Sequence, residues 1–374
     1  MMLAACAGPT PSASAVASTS RTVTPSASPE PAHWVVTELP APDGAAACLP
    51  EDGLQNLLLV GFGSGLLALG SCGHTASPSL VWASTDGVSW QASAPPSLAG
   101  ADVYDLMVAD GLVIAVGQDV TDGFTAAAWT SRDGLHWTRS EGDLGCAVMS
   151  TVTRVGSEFV AFGNRVPQDI PEVEVPPGVC EWVSSDGLSW KPVNLATGVF
   201  PGTAIVSSIS SGPLGLVAVG TDAGPDAQVG TFWYSSDGRT WSRNDRPISA
   251  DWNSLDLAIA GGSGLLVLGN GPGGHWLAAS ADLSSWTTMR LPGKEDFFSE
   301  GRAVAFGPAG LISLSCDFCS PDATAWTSSD GVTWQPLPTV PSGFRYHAAA
   351  SIAAGFVIAA STADGQAVIF RLQP

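Results

Sequence analysis

The sequence predicts an all-β fold, a seven-bladed β-propeller of four-stranded antiparallel blades, and three observations carry that prediction. A heptapeptide recurs along the chain as STDGVSW, SRDGLHW, SSDGLSW, SSDGRTW, SADLSSW and SSDGVTW. Its acids, Asp86, Asp133, Asp186, Asp237, Asp282 and Asp330, stand 47, 53, 51, 45 and 48 residues apart, and a period near fifty marks a repeat architecture. Each period also holds four short segments of strand character, separated by turn residues and without a convincing helix.

The first two strands and the heptapeptide follow from local chemistry. In the second copy VYDLMVA alternates and stops at the tight turn Asp110-Gly111. LVIAVG is apolar throughout, as a strand covered on both faces must be. AAAWTS and HWTRS follow, with Asp133-Gly134 between them, so the heptapeptide is the hairpin joining the third and fourth strands. Asp-Gly supplies the positive-φ positions a tight hairpin needs, and the carboxylate can accept hydrogen bonds from turn amides. The paired tryptophans, Trp182 and Trp190 in the third copy, are expected to pack between neighbouring blades. The six acids are thus structural and do not mark six active sites.

Six heptapeptides do not limit the ring to six blades, although six is the alternative. After the last one, HAAASIAAGFVIAASTADGQAVIFRL matches strands one to three, while HWVVTELP near the N-terminus matches strand four. Residues 34–40 are therefore expected to pair as the outer strand of a blade built from residues 345–371. Closing the ring in this way removes open sheet edges.

The chain divides into residues 1–6, 7–32 and 33–374. The propeller occupies the last of these. Leu3-Ala4-Ala5-Cys6 resembles the lipobox of bacterial lipoproteins, in which the cysteine is lipidated after cleavage. A Ser/Pro/Ala-rich stretch follows directly, a composition suited to a disordered tether holding a domain off a membrane. No complete signal precedes Cys6, so the expectation is an upstream start, an exported protein and membrane attachment through lipid alone. The other cysteines, Cys48, Cys72, Cys146, Cys180, Cys316 and Cys319, are even in number, which in an exported protein favours disulfides. The expected pairs are Cys48–Cys72, Cys146–Cys180 and Cys316–Cys319. CDFC at 316–319 could instead be a redox pair or half of a zinc site, but it lacks both a second CxxC and a strand-to-helix setting.

Charge bounds the partners. The chain has 374 residues, 14 Lys+Arg against 34 Asp+Glu, and a net charge of -20. Nucleic acids and anionic membranes require Lys and Arg clusters, so neither is an expected partner. A low-charge protein also needs acidity for solubility.

The heptapeptide resembles the Asp-box (BNR) repeat of sialidase-like propellers, Ser-x-Asp-x-Gly-x-Thr-Trp, with one residue fewer between Asp and Trp. The fifth copy departs further, carrying Leu283 where the others have glycine. The resemblance extends over residues 33–374 and implies a fold, but one fold hosts many functions.

Function is expected on the face bearing the longer connections, between strands two and three and from one blade to the next. These include Asn164–Gly178, PISADWN and PGKEDFFSEG. Polar residues at the beginnings of the innermost strands are expected to ring the central channel there: Tyr104, Asp105, Asp256, Glu300, Arg302, Arg345, Tyr346 and His347. Such a rim suits a glycan or another small polar ligand, and a protein ligand fits the same loop face. Trp252, Phe297 and Phe298 could stack on a sugar or pack beneath the loops. The sialidase resemblance implies three arginines on a carboxylate, a Tyr nucleophile with a Glu partner, and an Asp acid. Tyr346, Glu300 and Asp256 are the only catalytic candidates it yields, and the Arg-Ile-Pro element is absent. Glycoside hydrolysis in general needs two carboxylates about 5 to 10 Å apart, and no spacing here selects a pair. The sequence reading is a monomeric cell-envelope binding module, with a sialidase-like glycoside hydrolase as the alternative. No cofactor or transition-metal site is implied. DVTDG and the acidic loop could take a structural calcium, without the spacing of an EF-hand.

Overall fold

Each fifty-residue period folds into one four-stranded antiparallel sheet, and seven sheets are present. The computed structural model describes residues 32–42, 54, 56–71, 79–121, 123–142, 144–165, 178–223, 228–244, 248–249, 251–261, 264–291, 304–315 and 323–373. Blade 1 comprises Asn56–Phe62, Gly65–Ser71, Leu80–Ser84 and Gln91–Ser93; blade 2, Ala101–Ala109, Leu112–Asp119, Thr125–Ser131 and Thr138–Arg139. Blade 3 is built from Val148–Val155, Glu158–Asn164, Val179–Ser184 and Lys191–Pro192. Blade 4 uses Ile205–Gly212, Gly215–Ala223, Gln228–Ser235 and Trp241–Arg243; blade 5, Ser254–Gly261, Gly264–Gly271, Gly274–Ser280 and Thr287–Arg290. Blade 6 holds Val304–Gly307, Gly310–Ser315, Thr324–Ser328 and Gln335–Pro336.

Blade 7 takes its first three strands, Arg345–Ile352, Gly355–Ser361 and Ala367–Gln373, from the C-terminal end, and its fourth, His33–Glu38, from the N-terminal end. That outer strand lies antiparallel on the third, running from His33 opposite Gln373 to Glu38 opposite Val368. The ring is thereby closed at the expected blade. Trp34 secures the closure: its indole donates to the Pro338 carbonyl at 2.8 Å and its ring joins the core between blades 6 and 7.

A sheet whose two faces are both covered must be apolar on both, and the second strands meet this requirement: Leu66 to Leu69 and Val113 to Val116 are buried throughout. Side chains alternate across each strand, so every blade feeds two cores, one against each neighbour. Between blades 2 and 3 lie Ile114, Val116, Met149, Val152, Phe159, Trp182 and Trp190. Between blades 7 and 1 lie Leu57, Leu66, Trp82, Val357 and Ile369. The third-strand tryptophans also clamp the linker arriving from the preceding blade. Trp82, Trp129, Trp182 and Trp233 donate to the carbonyls of Pro40, Ser97, Leu144 and Val199 at 2.8, 2.8, 2.9 and 2.8 Å. At roughly 200 Å² of ring and about 25 cal/mol per Å², each buried indole contributes on the order of 5 kcal/mol before entropy is counted.

The heptapeptide hairpins share one hydrogen-bond pattern. In the third copy the Gly187 amide donates to Ser184 Oγ at 2.9 Å, and the Leu188 and Ser189 amides donate to Asp186 Oδ1 at 2.9 and 2.7 Å. Ser184 Oγ donates to the same carboxylate at 2.9 Å. Burial pushes the Asp186 carboxyl up, but the Ser189 and Leu188 amides outweigh it and hold the group down at about 2. The same serine–acid pattern surrounds Asp86, Asp133, Asp237, Asp282 and Asp330. One expectation needs correction. Asp-Gly supplies a single positive φ here, that of the glycine, for example 77° at Gly187; none of the six acids has one. The carboxylate takes over bonds that a tighter two-residue turn would make through its backbone.

Cys146 and Cys180 form a disulfide that ties the linker entering blade 3 to that blade's third strand. Such a bond points to an oxidising, extracytoplasmic compartment. Cys6, Cys48, Cys72, Cys316 and Cys319 lie outside the described residues.

Candidate functional site

The seven first strands neighbour one another in a closed ring around the channel. Their side chains point into the adjoining inter-blade cores, so the channel itself is faced by strand edges. An extra residue in a strand breaks that rule, because a bulge re-aims a side chain. Among the described residues five first strands carry one. The register shifts between Val103 and Asp105, Met149 and Thr151, Val206 and Ser208, Leu255 and Leu257, and Tyr346 and Ala348. The inserted residues are Tyr104, Ser150, Ser207, Asp256 and His347. Each stands five residues before the end of its strand, at Ala109, Val155, Gly212, Gly261 and Ile352 respectively. All five retain solvent exposure, whereas the residues just before them, Val103, Met149, Val206 and Leu255, are buried. This end of the strands is the long-connection face, opposite the heptapeptide hairpins.

The second strand backs the bulge residues. Gln118, paired with Asp102, donates through Nε2 to Tyr104 Oη at 2.9 Å and to Asp102 Oδ2 at 3.1 Å. Tyr104 Oη in turn donates to Asp102 Oδ2 at 2.9 Å. In blade 7, His347 Nε2 lies 2.9 Å from Ser361 Oγ. In blade 5, burial pushes the Asp256 carboxyl above its ordinary range, opposed by a hydrogen bond from Ser254 and the charge of His275. Arg345 begins its strand exposed, adding a cation to a ring whose bulge residues carry hydroxyls on blades 2, 3 and 4 and a carboxyl on blade 5.

The structure separates the predicted rim residues into two groups. Tyr104, Asp256 and His347 are bulge residues at one level of the first strands, and Arg345 begins the strand that carries His347; all four keep solvent exposure. Asp105 is committed elsewhere: its Oδ2 accepts the Val152 amide at 2.9 Å and Thr151 Oγ1 at 3.0 Å, fastening blade 2 to blade 3. The residues at the same position repeat this task. Thr151 Oγ1 accepts the Ile209 amide at 3.2 Å, and Ser208 Oγ accepts the Ala258 amide at 3.3 Å. A free strand edge needs partners for its amides, and in blades 2, 3 and 4 the residue after the bulge supplies one to the next blade. Tyr346 is also turned away. It occupies the pre-bulge position, packs 5.8 Å from the Phe370 ring in the core between blades 6 and 7, and donates its hydroxyl to the Pro341 carbonyl. Trp252 is buried against Trp276 at 6.3 Å and lies beneath its loop, where it cannot stack on a ligand. Glu300, Arg302, Phe297 and Phe298 lie outside the described residues.

Sequence reading missed Asp102, Gln118, Ser150, Ser207 and Ser361 at this face. A usable signal was present in the fixed five-residue offset between each bulge and the end of its strand. Among the described residues no three His, Cys, Asp or Glu side chains gather to hold a metal ion.

No protein-family model matches this chain, and no curated protein matches it either. Solved structures share its fold. A Trypanosoma rangeli sialidase in complex with sialic acid superposes with a TM-score of 0.51 at 12% identity, covering 90% of this chain and 58% of the sialidase. The chain thus spans less than two thirds of that enzyme's length. A putative 6-phosphogluconolactonase from Bacteroides uniformis superposes with a TM-score of 0.50 at 12% identity, covering 84% of this chain and 90% of its own. At such identity the likeness concerns the propeller fold alone.

Proposed function

We propose that this chain is an extracytoplasmic binding module that holds a glycan or similar small polar ligand at the channel mouth and is tethered to the bacterial membrane through a lipid on Cys6. The bulge ring carries the reading. Five strands spend an inserted residue at one common level, and four of the five place a hydroxyl or a carboxyl there, groups that exchange hydrogen bonds with sugar hydroxyls. The hairpins, in this reading, are Asp-box-type staples that keep the ring rigid. LAAC followed by the Ser/Pro/Ala stretch supports the tether, and the disulfide supports export.

Binding is favoured over glycoside hydrolysis by the commitments of Asp102, Asp105 and Tyr346. Asp102 is occupied by Tyr104 and Gln118, Asp105 holds blade 3, and Tyr346 gives its hydroxyl to a carbonyl. A glycan array and a set of fluorogenic glycosides, applied to the wild type and to Tyr104→Phe and Asp256→Asn, test the proposal. Retained glycans that are lost by both variants, without turnover, are expected. Hydrolysis abolished by Asp256→Asn would replace binding with catalysis as the function.

A further inference from the structure

Glu181 is out of place in the layer where it sits. It belongs to the third strand of blade 3, immediately before Trp182, and only 1% of it is exposed. The same position in the other copies holds Val81, Ala128, Phe232, Leu277 and Ala325, all apolar. Its cross-strand partner is Phe162, whose ring lies edge-on to Trp241 of blade 4 at 5.1 Å. Glu181 therefore faces the core between blades 3 and 4.

Trp241 has changed its bond to meet it. Trp137 and Trp190, at the equivalent place in their hairpins, donate to the glycine carbonyl of their own turn, Gly134 at 3.0 Å and Gly187 at 2.9 Å. Trp241 Nε1 instead donates across the interface to Glu181 Oε1 at 3.0 Å. The second oxygen, Oε2, is buried without a hydrogen-bond partner. An ionised carboxylate would leave most of its acceptor capacity unmet in an apolar layer, at a cost of several kcal/mol. The neutral acid avoids that cost and keeps the indole bond.

We propose that Glu181 is a proton latch: neutral, it locks blade 3 onto blade 4 through Trp241, and loss of its proton to bulk water loosens that one interface of the ring. The charged groups around it do not replace the proton. Asp237 and Arg239, from the blade 4 hairpin, act on it in opposite directions. Arg239 is already paired with Glu158 at 2.8 Å and Arg243 with Asp222 at 2.6 Å, while Lys191 is exposed to solvent. Burial, partly offset by the Trp241 bond, pushes the carboxyl up to about 8 from an ordinary 4.5. Between those values the folded chain holds a proton that the unfolded chain has released. Stability from this group is therefore greatest at acidic pH and is lost as pH climbs toward 8.

The test uses the full chain with ¹⁵N-labelled tryptophan, the Trp241 indole signal being assigned with Trp241→Phe. That signal is expected to titrate in the wild type over roughly pH 7–9 and to stay fixed in Glu181→Gln. The melting temperature should fall by several degrees between roughly pH 5 and pH 8 in the wild type alone and level off above that. A stationary wild-type signal overturns the latch, as does a glutamine variant that titrates alike. Should the glutamine variant fail to fold, the wild-type titration alone decides.

Discussion

One residue in each hairpin shows how closely the blades are fitted. A Cβ on Gly187 would stand 2.9 Å from Ile114 Cδ1 and 3.0 Å from Thr130 Cγ2 of the preceding blade, with φ at +77°. At Gly134 and Gly238 the preceding blade comes closer still, with Leu67 Cδ1 and Val160 Cγ2 at 2.7 Å. Glycine is needed both for its backbone and for its lack of a side chain. Gly187→Ala is expected to lower stability by about 1–3 kcal/mol, read by thermal unfolding. The fifth copy solves the same problem differently. Leu283 adopts φ 60°, a conformation costing a leucine on the order of 1–2 kcal/mol, and packs against the core shared by blades 4 and 5. Because strain and packing oppose each other there, Leu283→Gly should change stability by less than about 1 kcal/mol. A large loss in the latter variant would show that packing alone governs the site.

At the scale of the strand, two adjacent residues have opposite duties. Tyr104 is the bulge and meets the channel mouth; Asp105 follows it and holds the next blade. Asp105→Ala strands the Val152 amide and the Thr151 hydroxyl, and is expected to cost about 1–3 kcal/mol while leaving ligand retention intact. Tyr104→Phe should abolish ligand retention, with a stability cost of about 1 kcal/mol for the bonds it loses to Asp102 and Gln118. Urea midpoints measured beside the glycan assay separate the two outcomes, and an Asp105 variant of unchanged stability would sink the inter-blade role. Nothing in VYDLMVA told these neighbours apart. Both are polar, and their difference arises only from a register shift against Leu112–Asp119, a property of two strands together.

For the whole molecule, closure is the decisive event. His33–Glu38 covers the edge of Ala367–Gln373, and Trp34 adds its ring to a core containing Phe370, Ile358 and Ile312. Deleting residues 1–40 should lower the melting temperature sharply. It should also promote self-association, because an uncovered strand edge pairs with other chains. Thermal unfolding and size-exclusion chromatography check both effects, and an unchanged melting temperature would refute the closing role of this strand.

Local chemistry was enough to determine the period, the four strands of each blade, the serine–acid–glycine hairpins and the blade at which the two chain ends meet. Each rests on information carried within a few residues: turn chemistry, alternation and an apolar run. Tertiary structure alone decided which polar residues face the channel. Tyr346 and His347 are neighbours in the chain, yet one packs into a core and the other is the inserted residue of a bulge. Nothing in the sequence around Trp182 singles out Glu181, and only the packing of blade 4, with Trp241 against it, makes it a buried group with a displaced proton equilibrium. The physical reason is the same in both cases. A side chain's direction depends on strand register, and its environment depends on the neighbouring blade, whose contacting residues lie some fifty positions away in the sequence.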